Sequence, residues 1–214
     1  MRYFAFGLSI LFHPLLCLTY GLLLLLLANP YLFGYHHFNA ASLLLIKCIA
    51  YTFLLPVLTT LLMQLLGLVR SLELDSREER FGPLIAALVF NTWFLVNVIQ
   101  NPEVPGEFSV FVLGTCIALG LSFFLNVFTK ISLHAVGLGG LLGMIIVMGW
   151  VYKLDRVGIG PVHIHFLMVI YLVCIIVGLV GSMRIYLAAH DKKEIYIGWS
   201  VGLVSILIAL RYLS

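Results

Sequence analysis

Arg184, His190 and Glu194 have the residue types and the spacing for phosphate chemistry. Arg184 carries a fixed positive charge and His190 is a candidate nucleophile. Glu194 lies four residues further on, one helical turn away, where a carboxylate can hold an imidazole in its reactive tautomer. A planar guanidinium pairs with phosphate oxygens, and an imidazole nitrogen can attack phosphorus. Two earlier polar breaks supply further groups. The first runs from Arg70 to Pro83 and holds Arg70, Arg77 and Arg80; the second runs from Lys130 to His134 and holds Ser132 and His134.

The elements that must position these groups are set by composition. The chain has 214 residues, of which 63% are apolar and 10% are charged, and its mean hydropathy is +1.14. A soluble domain of this length has too little interior for that much apolar surface, so the sequence belongs in a bilayer. A net charge of +3 gives no reason to invoke nucleic acid. Cys17, Cys48, Cys116 and Cys174 lie in apolar stretches without metal-ligand spacing and read as small buried hydrophobes. The start of the chain reads as a retained first span, because no small-residue cleavage site follows its apolar run.

Apolar stretches of about twenty residues predict an all-α polytopic bundle of six to seven transmembrane helices forming one domain over residues 1–214. The seven candidates run over 4–28, 41–69, 83–100, 107–128, 134–153, 163–186 and 195–213. Asn29-Pro30, Asn101-Pro102 and the stretch from Gly158 to Pro161 supply turn chemistry between them. The third carries Asn91, Asn97 and Gln100, which marks it as tilted or cavity-lining. Gly137, Gly139, Gly140 and Gly143 predict close helix packing. Two spans separate each of the segments 70–82, 129–134 and 187–194 from the next, so all three fall on one side of the membrane.

Each break has a plain reading as well. Arg70 to Arg80 can be a charged cytoplasmic loop. Ser132 can be a helix cap. The third break can be an interfacial helix end with snorkelling cations. Taken together, however, the three resemble the type 2 phosphatidic acid phosphatase family of membrane lipid phosphate phosphatases, in a divergent bacterial form. That family carries Lys-x6-Arg-Pro, Pro-Ser-Gly-His and Ser-Arg-x5-His-x3-Asp motifs in this order. Here the third matches as Arg184, His190 and Glu194, with Met183 in the serine position and glutamate for aspartate. The second matches at Ser132 and His134, with Ile131 and Leu133 in place of proline and glycine. The first fits as Arg70-x6-Arg77, or in a second register that uses Arg80 with Pro83. The resemblance covers about residues 70–198.

The resemblance implies hydrolysis of a lipid phosphomonoester or pyrophosphate through a phosphohistidine. His190 would be the nucleophile, Glu194 its orienting carboxylate, and His134 the acid and then the base. Arg184, Ser132 and Arg70 with Arg77 or Arg80 would hold the phosphate. No metal or other cofactor is implied, because the arginines neutralise the charge. The implied partners are a lipid phosphate and the surrounding membrane lipids, with the oligomeric state left open. The implied location is a bacterial inner membrane with the site facing the periplasm.

Other classes compete. The altered second motif suits a phosphatase-like protein that binds lipid phosphate without turnover. A transporter would use Lys47, Asn91, Asn97 and Asn126 as pathway groups, but no pair of broken helices in matching halves is visible in the sequence. His36, His37, His163 and His165 share the opposite side and could in principle bind zinc, although interfacial histidines are the simpler reading. His13, before Pro14, reads as a packed residue near an interface.

Overall fold

The computed structural model describes residues 2–33, 41–74, 76–159 and 162–213. Among these residues seven helical segments are long and apolar enough to cross a membrane, beginning with Arg2–Ala28 and ending with Lys192–Leu213. The protein is therefore an all-α integral membrane bundle. Large apolar side chains such as Leu43, Ile46, Leu62, Trp93, Leu172 and Ile175 are exposed on its outer surface, where lipid replaces water as the neighbouring solvent.

The first two spans are interrupted. Helices α1 (Arg2–Leu11) and α2 (Cys17–Ala28) are joined by a 3-10 turn over Pro14–Leu16. Pro14 has no N–H to give, and the N–H of His13 turns to the Ile10 carbonyl at 3.2 Å. The Ser9 carbonyl is thereby released from the helical ladder. Helices α3 (Ser42–Ile49) and α4 (Leu55–Leu65) are joined by a π-helical turn over Ala50–Leu54, just before Pro56. The two breaks lie in consecutive spans, so they are not the matching halves of an inverted repeat.

The remaining spans are α5 (Phe81–Ile99), α6 (Gly106–Asn126), α7 (Leu133–Trp150), α8 (Phe166–Tyr186) and α9 (Lys192–Leu213). The segment read as a turn between α7 and α8 contains two short antiparallel strands, β1 (Arg156–Ile159) and β2 (Val162–His165), with Arg156 opposite His165. Their mutual pairing satisfies backbone groups that a loose loop would leave to water. Cys17, Cys48 and Cys116 are buried as expected; Cys174 instead faces outward from α8.

Helix α9 packs on α7 through glycines on both. A Cβ on Gly202 would stand 2.1 Å from the Val136 carbonyl oxygen and 2.5 Å from the Gly140 nitrogen. One on Gly198 would meet the Ser132 carbonyl at 2.9 Å. These contacts are with backbone, which cannot rotate away. Gly202→Ala is therefore expected to push the helices apart and destabilise the protein by about 1–3 kcal/mol or more. Thermal unfolding in detergent measures this, and an unchanged midpoint would refute the packing argument.

Candidate active site

The three polar breaks meet at one end of the bundle. Arg77 Nη1 donates to the Val127 and Phe128 carbonyls at 3.3 and 3.1 Å, and Asn126 Nδ2 donates back to the Arg77 carbonyl at 2.8 Å. Arg80 Nη1 donates to the Ile131 carbonyl at 2.8 Å. His190 Nδ1 reaches the Lys130 carbonyl at 3.1 Å. Crossing count alone places these segments on one side; the bonds bring them into contact.

Helix α8 ends in a tight turn that aims the third break inward. The Leu187 and Ala189 N–H groups return to the Met183 and Arg184 carbonyls, and Ala188 takes a left-handed φ of 54°. Asp191 and Glu194 then cap α9 reciprocally. The Glu194 N–H donates to Asp191 Oδ1 at 2.7 Å, and the Asp191 N–H donates to Glu194 Oε2 at 3.3 Å. The same Glu194 oxygen lies 2.8 Å from His190 Nδ1.

This geometry fixes the tautomer of His190. Both partners of Nδ1, a carbonyl and a carboxylate, only accept. Nδ1 therefore carries the hydrogen, and Nε2 keeps its lone pair. The residue is 7% exposed. Burial first, then the charges of Arg80, Arg184 and Lys130, push its imidazole from an ordinary 6.5 down to about 3, with the Lys130 carbonyl bond acting the other way. His190 is thus a neutral base near pH 7.

Linkage gives this a stability consequence. Unfolded chains take up a proton on His190 near pH 6.5, whereas the folded protein resists protonation to about 3. The unfolded state binds more protons between those values, so stability from this group is complete above about pH 6.5 and is lost as pH falls toward 3. The wild-type unfolding temperature is expected to drop more steeply through that window than that of His190→Asn. Equal slopes would contradict the assignment.

His190, Arg184, Arg80 and His134 line a single cavity of about 270 Å³. Arg80 is 5% exposed, and its Nε donates to the Leu74 carbonyl at 2.9 Å. Leu74 holds a left-handed φ of 52° to present that carbonyl. Glu73 stands at the rim of the same cavity. His134 Nε2–H donates at 3.0 Å to the Ser9 carbonyl, the group that the Pro14 break releases. Its Nδ1 is then the nitrogen left to exchange protons.

Three expected phosphate ligands lie elsewhere. Arg70 is exposed to solvent and lies 3.9 Å from Glu79. Arg77 is committed to the carbonyls at the end of α6 and does not line the cavity. Ser132 is fully buried as the cap of α7, its Oγ accepting the Ala135 N–H at 3.4 Å. Its neighbour Leu133 lines the cavity instead. The second register of the first motif, through Arg80 and Pro83, is the one whose residues face the cavity.

His13 joins the site without having been singled out for it. Its ring lies edge-on to that of His134, with centroids 5.8 Å apart, and it lines the same cavity. The signal was His13-Pro14 within an apolar run, since a broken helix is where a polar side chain can be turned inward. On the far side, His165 Nδ1 caps α8 by accepting the Leu167 N–H at 3.2 Å. His36 and His37 lie outside the described residues. Among those described, no three histidine, cysteine or acidic side chains group as metal ligands.

Fold and site together define a membrane-embedded helix bundle with a cationic, histidine-bearing cavity at one end. No family model matches the chain, and no curated protein or solved structure matches it either.

Proposed function

We propose that this protein is a lipid phosphate phosphatase that works through a phosphohistidine on His190, in the manner of the type 2 phosphatidic acid phosphatases. The observation that carries the reading is the fixed tautomer of His190. Its Nδ1–H is held by Glu194 and Lys130, which leaves an Nε2 lone pair beside Arg80 and Arg184 in one cavity. Phosphoryl transfer asks of a protein mainly a placed nucleophile and fixed positive charge.

In the first step Nε2 of His190 forms a bond to phosphorus as the phosphorus–oxygen bond to the lipid breaks. His134, protonated at Nδ1, gives its proton to the departing alkoxide. Water then attacks the phosphohistidine, passes a proton to His134, and releases inorganic phosphate and His190. Arg80 and Arg184 offset the charge on the equatorial oxygens in both steps. His13 sits beside His134 with its Nδ1 occupied by the Leu15 N–H at 3.3 Å. Its Nε2 therefore carries the hydrogen, complementary to the Nδ1 lone pair that His134 holds between the two steps.

The site lies at one end of a transmembrane bundle, which suits a substrate whose phosphate stands at the headgroup level. We place it in a bacterial inner membrane with this end toward the periplasm, following the family resembled. The test is phosphate release by purified protein in detergent, with chelator present, across a panel of lipid phosphomonoesters and pyrophosphates. Metal-independent release from at least one lipid is the expected result. Saturable binding without release from any lipid would replace the enzyme by a phosphate-binding protein, for which the sealed Ser132 would be the structural reason.

A further inference from the structure

The first span, Arg2–Ala28, lies outside residues 70–198, where the family resemblance runs, yet it builds one wall of the cavity. Its break at His13-Pro14 is tied to two other spans. From α7, His134 donates to the Ser9 carbonyl that the break releases. From the π-helical turn of the second span, Thr52 Oγ1 donates to the Leu15 carbonyl at 3.4 Å. Phe53 of the same turn stands edge-on to the His13 ring, with centroids 6.0 Å apart. The two broken spans therefore meet at His13, which is held between Phe53 and His134 and lines the cavity. Irregular backbone at membrane depth is tolerated where it lines such a cavity.

The break also fixes what His13 can do. Its Nδ1 caps the 3-10 turn by accepting the Leu15 N–H at 3.3 Å. A hydrogen on Nδ1 would break that cap, so the ring is neutral and its hydrogen sits on Nε2. Nε2 has no hydrogen-bond partner among the described residues, and neither has Nδ1 of His134. The two rings lie edge-on with centroids 5.8 Å apart, and no direct bond joins them. An unused donor and an unused acceptor on neighbouring rings suit one oxygen between them, which accepts from His13 and donates to His134.

We propose that His13 is a third catalytic histidine, a neutral one, whose Nε2–H donates to the same oxygen that exchanges a proton with His134. This rests on the phosphohistidine reading and adds a residue from outside its motifs. In the first step that oxygen is the one leaving phosphorus: it takes its proton from His134 Nδ1, while the His13 bond stabilises the developing alkoxide. In the second it belongs to water, which bonds to phosphorus as the bond to His190 Nε2 breaks and gives its proton to His134. The His13 bond occupies one lone pair of that water and turns another toward phosphorus. His13 keeps its hydrogen throughout, so it never competes with His134 for the proton.

The experiment compares wild type, His13→Asn and His13→Gln as full-length protein in detergent. Asparagine is a favoured cap whose Oδ1 can still accept the Leu15 N–H, but it places no hydrogen at the Nε2 position. Glutamine, one carbon longer, brings an amide N–H to that position. Two quantities are read: the dissociation constant for inorganic phosphate, by calorimetry, and the decay rate of the phosphoenzyme, by rapid quench with labelled lipid phosphate. His13→Asn is expected to bind phosphate about 10-fold more weakly, a difference of roughly 1.4 kcal/mol, and to slow the decay by about 10-fold or more. Its unfolding temperature should not change, and His13→Gln should recover most of both losses. Wild-type values in His13→Asn, losses that glutamine does not recover, or a wild type that binds no phosphate overturns the proposal. Because phosphate binding is read without turnover, the two readings fail separately. Binding that depends on His13, without hydrolysis of any lipid, removes the phosphatase and keeps His13 as a donor to the bound oxyanion. Hydrolysis with binding and decay indifferent to His13 does the reverse.

Discussion

His190→Asn is expected to reduce phosphate release by roughly 10³-fold or more, on the scale seen when a covalent nucleophile is removed. Asparagine is chosen because its side-chain amide can still donate toward Lys130 and Glu194, the two acceptors that His190 Nδ1 serves at 3.1 and 2.8 Å. The variant keeps a tie between the second and third breaks but has no nitrogen lone pair to attack phosphorus. His134→Ala should lose less, about 10²–10⁴-fold, because proton transfer by a placed group contributes on that scale. Rapid quench with labelled substrate should trap an acid-labile phosphoryl group on wild type and none on His190→Asn. In His134→Ala the phosphoenzyme should persist if its hydrolysis becomes the slow step. Full activity in a folded His190→Asn protein would remove the phosphohistidine mechanism outright.

The spans were legible in the sequence because a bilayer imposes one strong rule: backbone polar groups facing lipid must bond within the protein, which favours long unbroken apolar helices. Polar breaks then had only one geometry open to them, and crossing parity placed three on the same side. The contact between Glu194 and His190 was legible for a similar reason, since a four-residue spacing on a helix start is a local constraint. What escaped the sequence was non-local. Arg70, Arg77 and Arg80 share one loop and one charge. Choosing among them depends on Leu74 holding a left-handed turn and on the Ile131 carbonyl arriving from the next break. His13 was hidden because its value depends on a helix break that also frees the Ser9 carbonyl for His134. Ser132 shows the opposite case. A Ser-x-His at a helix start satisfied the motif and the cap equally well, and in the structure it is the cap.

Arg80 gives the second large effect, and it separates the two registers of the first motif. Its guanidinium is buried, faces the cavity, and bonds the Leu74 carbonyl through Nε and the Ile131 carbonyl through Nη1. It therefore does two things: it ties the first break to the second, and it brings fixed charge to the place where phosphate would sit. Arg80→Lys separates these roles. Lysine retains the charge but cannot reproduce the planar fork, so it cannot hold both carbonyls and still face an oxyanion. Loss of one such donor typically costs about 10²–10³ in kcat, and that is the expected fall for Arg80→Lys. Arg80→Leu should also lower the unfolding temperature, because it leaves the buried Ile131 carbonyl without this donor at about 1–3 kcal/mol, and the half-buried Leu74 carbonyl at less. Arg70→Gln should stay within about 2-fold of wild type, since an exposed charge paired at 3.9 Å contributes little. Arg77→Ala removes bonds to the end of α6, so it should weaken stability before it touches kcat. Should Arg70→Gln abolish activity while Arg80→Lys leaves it intact, phosphate is held by the first register, and the cavity lined by His190 and Arg80 is not where the reaction occurs.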